Sequence, residues 1–188
     1  DTYNYKNDAL VRLYDSYFGS GMSSIVFQDI REAKGLAYHA SANTTLPYTQ
    51  GEVPYYTARI YTQNDKMIDA MNAFDEILNE MPQNDRSFDV TKNNLLQNYA
   101  TTRYNGESVI WRYISLKEKG VDLSYDKDFY NTLKTLTLAD IVKYQQEMIK
   151  GRSFVTGIVG NPDELDLKSI DKSYGEVKIL KTEDIFGY

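Results

Sequence analysis

Residues 17–38 carry the strongest fold signal in the chain and read YFGSGMSSIVFQDIREAKGLAY. The glycine-rich turn 19–21 predicts the end of a first helix, because glycine adopts a positive φ at little cost. Ser23 or Ser24 can serve the N-terminus of a second, amphipathic helix, and Gly35 predicts its end. The stretch therefore predicts a helix, a corner, a second helix and then a strand.

On either side of this stretch, hydrophobic periodicity predicts the remaining elements. Amphipathic spacing predicts the first helix over residues 7–18. Alternation predicts strands over 36–42 and 54–63, with a hairpin loop at 47–53. Apolar stripes then predict a block of helices at residues 67–81, 89–104, 107–119, 128–136 and 138–150. Thr137 and Asp140 have the capping-box spacing for the last of these.

The chain is predicted to close with a strand at 153–159, a turn at 160–162 and a final strand at 176–180. Because strands and helices do not alternate, we expect a mainly antiparallel sheet with helices packed on one face. No linker or repeat divides the sequence. Residues 1–188 are therefore interpreted as a single α+β domain.

Composition excludes several classes of function. The chain has 188 residues, a net charge of −6 and no cysteine. No Lys/Arg cluster could neutralise a run of phosphates, so we expect no nucleic-acid partner. No apolar run reaches the roughly 20 residues that span a bilayer, so we expect no membrane partner. The start at Asp1, without methionine or a signal-peptide pattern, suggests a mature or cut fragment.

The sequence offers few candidate metal ligands. His39 is the only histidine, so neither H-E-x-x-H nor its inverted form can be written. The acidic run 122–126 lacks the glycine and the terminal glutamate of a calcium loop. We therefore expect no cofactor in this chain. His39 could act as a general base, but a strand histidine facing a polar neighbour is the favoured interpretation.

The stretch 17–38 resembles the second-domain signature of the pitrilysin/insulinase family of zinc metallopeptidases, in the form typical of the mitochondrial processing peptidase. The resemblance lies in the glycine-rich stop, the Met-Ser-Ser helix start, and the Asp-Ile-Arg-Glu end that leads into Gly-Leu-Ala-Tyr. The later Gly-Ile-Val-Gly run at 157–160 agrees with it. The glycine loop is shorter here than in the processing peptidase. A strand that the family carries before the first helix is not visible, so an edge strand is expected to be missing.

The resemblance implies a non-zinc, C-terminal half that pairs with a zinc-binding N-terminal half, in the same chain or as a separate subunit. It also implies a peptide substrate, to which Arg31 and Tyr38 reach as catalytic and substrate-binding residues. The family's zinc is expected in the partner half. The alternative is an inactive scaffold or binding subunit of a peptidase-like complex. By analogy with secreted bacterial members, a periplasmic or secreted location is favoured.

Overall fold

The computed structural model describes residues 4–47, 49 and 51–187. Helices pack on one face of a two-stranded antiparallel sheet, formed by β1 His39–Thr45 and β2 Tyr55–Tyr61. This arrangement confirms the predicted α+β class. In the part of the chain described, no helix combines the length and apolar character that crossing a membrane requires.

The first helix packs directly on the sheet. It comprises α1 Asp8–Tyr14 and a π-helical turn, Asp15–Gly19. Gly19 lies so close to β1 that a Cβ at this position would be 2.0 Å from the Ala42 carbonyl oxygen. The positive φ of the glycine-rich turn belongs to Gly21, at 92°. Gly19 is thus required for the close approach of helix and strand, which corrects the expectation that it serves a left-handed backbone.

The second helix begins at residue 25 and continues as the π-helical segment Phe27–Ala33. Ser24 Oγ accepts a hydrogen bond from the Phe27 N–H at 3.3 Å, so Ser24 caps the N-terminus. Gly35, with a φ of 57°, ends the helix as predicted. The Leu36 N–H then donates to the Ile30 carbonyl at 2.9 Å, which fixes the exit of the chain toward the sheet.

The β-hairpin is confirmed, with its first strand shifted toward the C-terminus. Residues 36–38 precede β1: the Leu36 N–H bonds back to the helix, and the first hydrogen bond to β2 is made by the Tyr38 N–H. In the observed register Ala40 faces Ile60 and Ala42 faces Ala58. The predicted loop 47–53 contains residues 48 and 50, which lie outside the described residues.

The predicted helical block is also confirmed. Its members are α2 Met67–Asn79, α3 Asp85–Thr101, α4 Glu107–Glu118, α5 Tyr125–Thr135 and α6 Leu138–Tyr144, which continues as the π-helical turn Gln145–Ile149. Asn84 caps α3 by accepting from the Ser87 N–H at 2.9 Å, so this helix begins earlier than predicted. The capping box of Thr137 and Asp140 is present.

The apolar core lies between the hairpin and these helices. Its large, fully buried side chains include Leu13, Tyr14, Tyr17, Phe18, Ile30, Leu116, Leu133 and Ile141.

The two predicted C-terminal strands are wrong for this structure. Residues 153–159 and 176–180 contain no strand, because a strand needs a neighbour and none pairs with them among the residues described. Two short helices that were not predicted, α7 Leu167–Tyr174 and α8 Thr182–Phe186, form in this region. Asp166 caps α7 by accepting from the Ser169 N–H at 3.1 Å.

Candidate functional site

Arg31 and Tyr38 lie at the junction between the second helix and the sheet. Arg31 is in the last turn of the segment Phe27–Ala33, and Tyr38 immediately precedes β1. The Tyr38 N–H donates to the Tyr61 carbonyl at 2.8 Å, which ties this residue to the end of β2. The two side chains that the sequence nominated are therefore neighbours in space.

The Arg31 guanidinium lies between two aromatic rings. Its Cζ is 4.7 Å from the centroid of Phe27 and 5.8 Å from that of Tyr38. Both distances are in the range of cation–π attraction. Phe27 precedes Arg31 by four residues on the same helical segment, so the two side chains meet on one face. This contact holds the guanidinium beside Tyr38.

Both side chains are accessible to a ligand. The Arg31 side chain is 41% exposed, and Tyr38 is 82% exposed. Arg31 Nε lies 3.5 Å from Glu32 Oε1, a contact between two exposed groups and hence a weak one. In the described part of the chain, this is the one ion pair that the guanidinium makes. The remaining N–H groups of the guanidinium and the Tyr38 hydroxyl are hydrogen-bond donors at the surface, so the two side chains form a pair of donor groups.

A clamp of charged residues holds the end of the second helix in place. Lys34 Nζ lies 2.8 Å from Asp29 Oδ2 and 3.2 Å from Glu76 Oε2, so it joins this helix to α2. Hydrogen bonds, chiefly with Asp29 and then with Glu76, raise the pKa of Lys34. The sequence does not reveal this role, because nothing local to Lys34 points to a partner as distant as Glu76.

His39 and the described acidic residues do not form a metal site. His39 is exposed, and its Nε2 lies 3.1 Å from Ser41 Oγ. Its ring is 5.4 Å from that of Tyr61. These contacts agree with a strand histidine facing a polar neighbour. Over residues 4–47, 49 and 51–187, no group of three or more His, Cys, Asp or Glu side chains could hold a metal ion. The described residues therefore do not fit a zinc ion.

Asp15 is a buried carboxyl that the sequence pattern did not reveal. It lies at the start of the π-helical turn and is 7% exposed. It accepts hydrogen bonds from the Thr44 N–H at 2.9 Å and the Thr44 hydroxyl at 3.0 Å. Burial raises the pKa of Asp15 from 3.8 to about 7, against the lowering effect of the Thr44 hydrogen bonds. Asp15 joins the first helix to β1 and does not reach Arg31 or Tyr38.

This shift predicts a pH dependence of stability. Because folding raises the pKa of Asp15, the folded protein binds more protons than the unfolded chain between pH 3.8 and about 7. The contribution of Asp15 to the free energy of unfolding therefore falls as the pH rises through this window, by about 4 kcal/mol at most. The free energy of unfolding, measured with urea, should decrease less between pH 5 and pH 8 for Asp15→Asn than for the parent. Asp89→Asn, at an exposed position of α3, is the matched control; identical pH profiles for Asp15→Asn and the parent would contradict the assignment.

Comparison with known proteins adds to this geometry. The family model of the peptidase M16 inactive domain matches residues 1–95, which include Arg31 and Tyr38. No curated protein matches the chain.

Three solved structures share the fold. A peptidase M16 inactive domain from Pseudomonas fluorescens is 18% identical, with a TM-score of 0.58 over 74% of this chain and 34% of its own. A conserved protein from Enterococcus faecalis is 16% identical, with a TM-score of 0.58 over 76% of this chain and 33% of its own. A protease from Helicobacter pylori is 18% identical, with a TM-score of 0.59 over 76% of this chain and 34% of its own. The chain thus spans about a third of the length of these structures.

The similarity to solved structures shows the fold, and the match to the family model shows the family. Together they agree with the glycine-rich stop, the helix and the Gly-Leu-Ala-Tyr exit that frame Arg31 and Tyr38. The chain belongs to the peptidase M16 inactive domain family, the C-terminal, non-zinc domain of the pitrilysin/insulinase peptidases.

Proposed function

We propose that this domain is the substrate-binding half of a zinc-dependent endopeptidase. In this proposal residues 1–188 form one domain of a longer two-half assembly. Arg31 and Tyr38 contribute to a peptide-hydrolysis site that a zinc-binding N-terminal half completes, in the same chain or as a separate subunit. The observation that carries the proposal is the accessible Arg31 guanidinium, held between the Phe27 and Tyr38 rings with donors left for a ligand.

The chemistry of the pair suits a peptide backbone. A peptide carbonyl gains negative charge as water adds to it, and fixed hydrogen-bond donors stabilise that charge. Arg31 can supply a charged, planar set of N–H donors, and Tyr38 a neutral hydroxyl donor. The ring contacts and the Lys34 clamp hold these donors before substrate binds, which reduces the cost of ordering them.

The partner half is proposed to supply the chemistry that this chain lacks. Its zinc ion would polarise the carbonyl and activate water. The contribution of this domain is then to bind and orient the peptide from the opposite side. At the same end of the hairpin, the exposed rings of His39 and Tyr61 lie 5.4 Å apart and offer further polar and aromatic contacts for an extended peptide.

Tyr38→Phe in the complete protein tests the hydroxyl directly. The change removes one donor and keeps the ring beside Arg31, so kcat/KM for an unfolded peptide should fall by about tenfold. Tyr55→Phe is the matched control, because Tyr55 is an exposed tyrosine at the opposite end of β2 and should cleave at the parental rate. If Tyr38→Phe and Tyr55→Phe both retain the parental kcat/KM, the hydroxyl has no role in hydrolysis.

The same experiment separates a peptidase from a scaffold. A complete protein that binds no zinc and cleaves no peptide would place this domain in a binding or assembly role. The accessible donor pair of Arg31 and Tyr38 favours the peptidase, since a purely structural role gives no use for two donors at the surface.

A further inference from the structure

Helix α4, Glu107–Glu118, is apolar on its exposed side. Of the residues of this helix, Leu116 is the one that is buried. Five large apolar side chains are instead between 37% and 67% exposed: Val109, Ile110, Trp111, Tyr113 and Ile114. Single exposed apolar side chains are ordinary, but a contiguous group of them marks a surface that contacts another molecule.

The helical repeat places two of these side chains at the centre of a stripe, called here the α4 stripe. Ile110 and Ile114 are four residues apart, so they lie one above the other on the helix surface. Glu107 precedes Ile110 by three residues and Lys117 follows Ile114 by three, so the stripe carries one charge at each end. With 3.6 residues per turn, Leu116 falls about 140° from the centre of the stripe, toward the domain core.

The α4 stripe is symmetric in sequence about Arg112. The residues one position away on each side are aromatic, Trp111 and Tyr113, and they flank the stripe on opposite sides. The pairs two and five positions away are identical or opposite in charge, namely Ile110 with Ile114 and Glu107 with Lys117. A helix with this symmetry is complementary to a second copy of itself that runs antiparallel, because each side chain then meets its counterpart from the other side of Arg112.

We propose that two copies of this domain associate through α4, with the two helices antiparallel about a twofold axis. Ile110 of one copy then packs against Ile114 of the second copy, and the flanking aromatic rings cover the isoleucine pairs from the sides. Glu107 of each copy meets Lys117 of the second copy, which gives an ion pair at both ends of the interface. In the described part of the chain, neither charged group makes an ion pair within the domain, so both are available to a second copy.

The symmetry favours a second copy over a different occupant. A segment of another protein, or of chain outside residues 1–188, needs an apolar stripe but no match between the two ends of α4. The helix has 12 residues and is therefore about 18 Å long, so α4 alone covers well under the roughly 800 Å² per partner of a standard interface. Interfaces of this size belong to weak, reversible complexes, and we expect a Kd on the order of 10 μM. The inference does not rest on the proposed function, since it joins two identical domains and not the two halves of a peptidase.

Charge reversal in the complete protein, followed by sedimentation velocity, tests the proposal. Glu107→Lys alone and Lys117→Glu alone each place like charges at both ends of the interface, so the Kd of self-association should rise at least about tenfold. An equimolar mixture of the two variants should associate with about the parental Kd, because one copy then carries two lysines at these positions and the other two glutamates. Lysine and glutamate are both good helix formers, so neither exchange should unfold α4.

Glu183→Lys is the matched control for charge. It changes the net charge by the same amount as Glu107→Lys, at an exposed position of α8, and should leave the Kd at the parental value. Ile110→Ser removes part of the apolar centre of the stripe. Its Kd should rise at least about tenfold, and mixing it with a charge variant should not restore association.

Three results would overturn the proposal. A complete protein that does not self-associate, even at about tenfold above the expected Kd, would mean that chain outside residues 1–188 or a different protein covers the stripe. Parental self-association of both charge variants and of Ile110→Ser would place the contact elsewhere on the molecule. A mixture of Glu107→Lys and Lys117→Glu that associates no better than either alone would exclude the antiparallel pairing. None of these measurements depends on cleavage, so their outcome is separate from that of the Tyr38→Phe test.

Discussion

Substitution of Gly19 by alanine is expected to destabilise the domain strongly. The added Cβ would lie 2.0 Å from the carbonyl oxygen of Ala42 and 2.6 Å from its carbonyl carbon. Both atoms belong to the backbone of β1, so no side-chain rotation relieves the overlap. The π-helical turn and the strand must separate, which opens the core around Phe18. We expect a loss of about 3 kcal/mol in the free energy of unfolding, and a Tm lower by about 10 °C.

Thermal unfolding of the isolated domain measures this effect. Gly157→Ala is the matched control, because a Cβ there meets nothing within 4 Å and its φ is not positive. This control should unfold within a degree or two of the parent. A Gly19→Ala protein as stable as Gly157→Ala would show that the helix and strand do not approach as closely as described.

Arg31→Ala in the complete protein is expected to reduce kcat/KM for an unfolded peptide by about 100-fold, the loss typical of removing a charged donor at a hydrolytic site. The side chain is 41% exposed, and its contacts with Phe27 and Glu32 lie at the surface. The Tm should therefore change little. Arg31→Lys should recover part of the rate, because lysine keeps the charge and loses the planar set of donors.

Arg86→Ala is the control for this substitution, since Arg86 is exposed on α3 in the helical layer. It should cleave at the parental rate. A fall in Tm that parallels the fall in rate for Arg31→Ala would point to a structural role instead. Parental kcat/KM in Arg31→Ala would remove Arg31 from the site.

The local part of the fold was predictable from the sequence. The Ser24 cap, the Gly35 end and the Thr137–Asp140 capping box are encoded within a few residues, and each forms where expected. The burial of Asp15 was not predictable, because it depends on Thr44, a residue far along the chain. The need for glycine at position 19 likewise depends on the approach of Ala42.

The strand prediction at 153–159 failed for a related reason. Its sequence has the β-branched composition of a strand, but pairing is a property of two segments, and the described residues supply only one.

The candidate site, too, was only partly predictable from local sequence. Arg31 and Tyr38 were nominated by resemblance to the family. The contact that joins them is partly local: the four-residue spacing from Phe27 to Arg31 is visible in the sequence. The return of the chain to place Tyr38 beside them is set by the hairpin.

The claim that Arg31 and Tyr38 act as one substrate-binding pair is tested most directly by a single protein that carries Arg31→Ala and Tyr38→Phe together. Its kcat/KM for an unfolded peptide is measured in the complete protein, with the zinc content verified to equal that of the parent. Residues that act as a unit lose less together than the product of their separate losses. We predict a double variant about as slow as Arg31→Ala alone, and at least about 100-fold below the parent. A double variant that cleaves at the parental rate, or one that loses the full product of the two separate losses, would contradict the account.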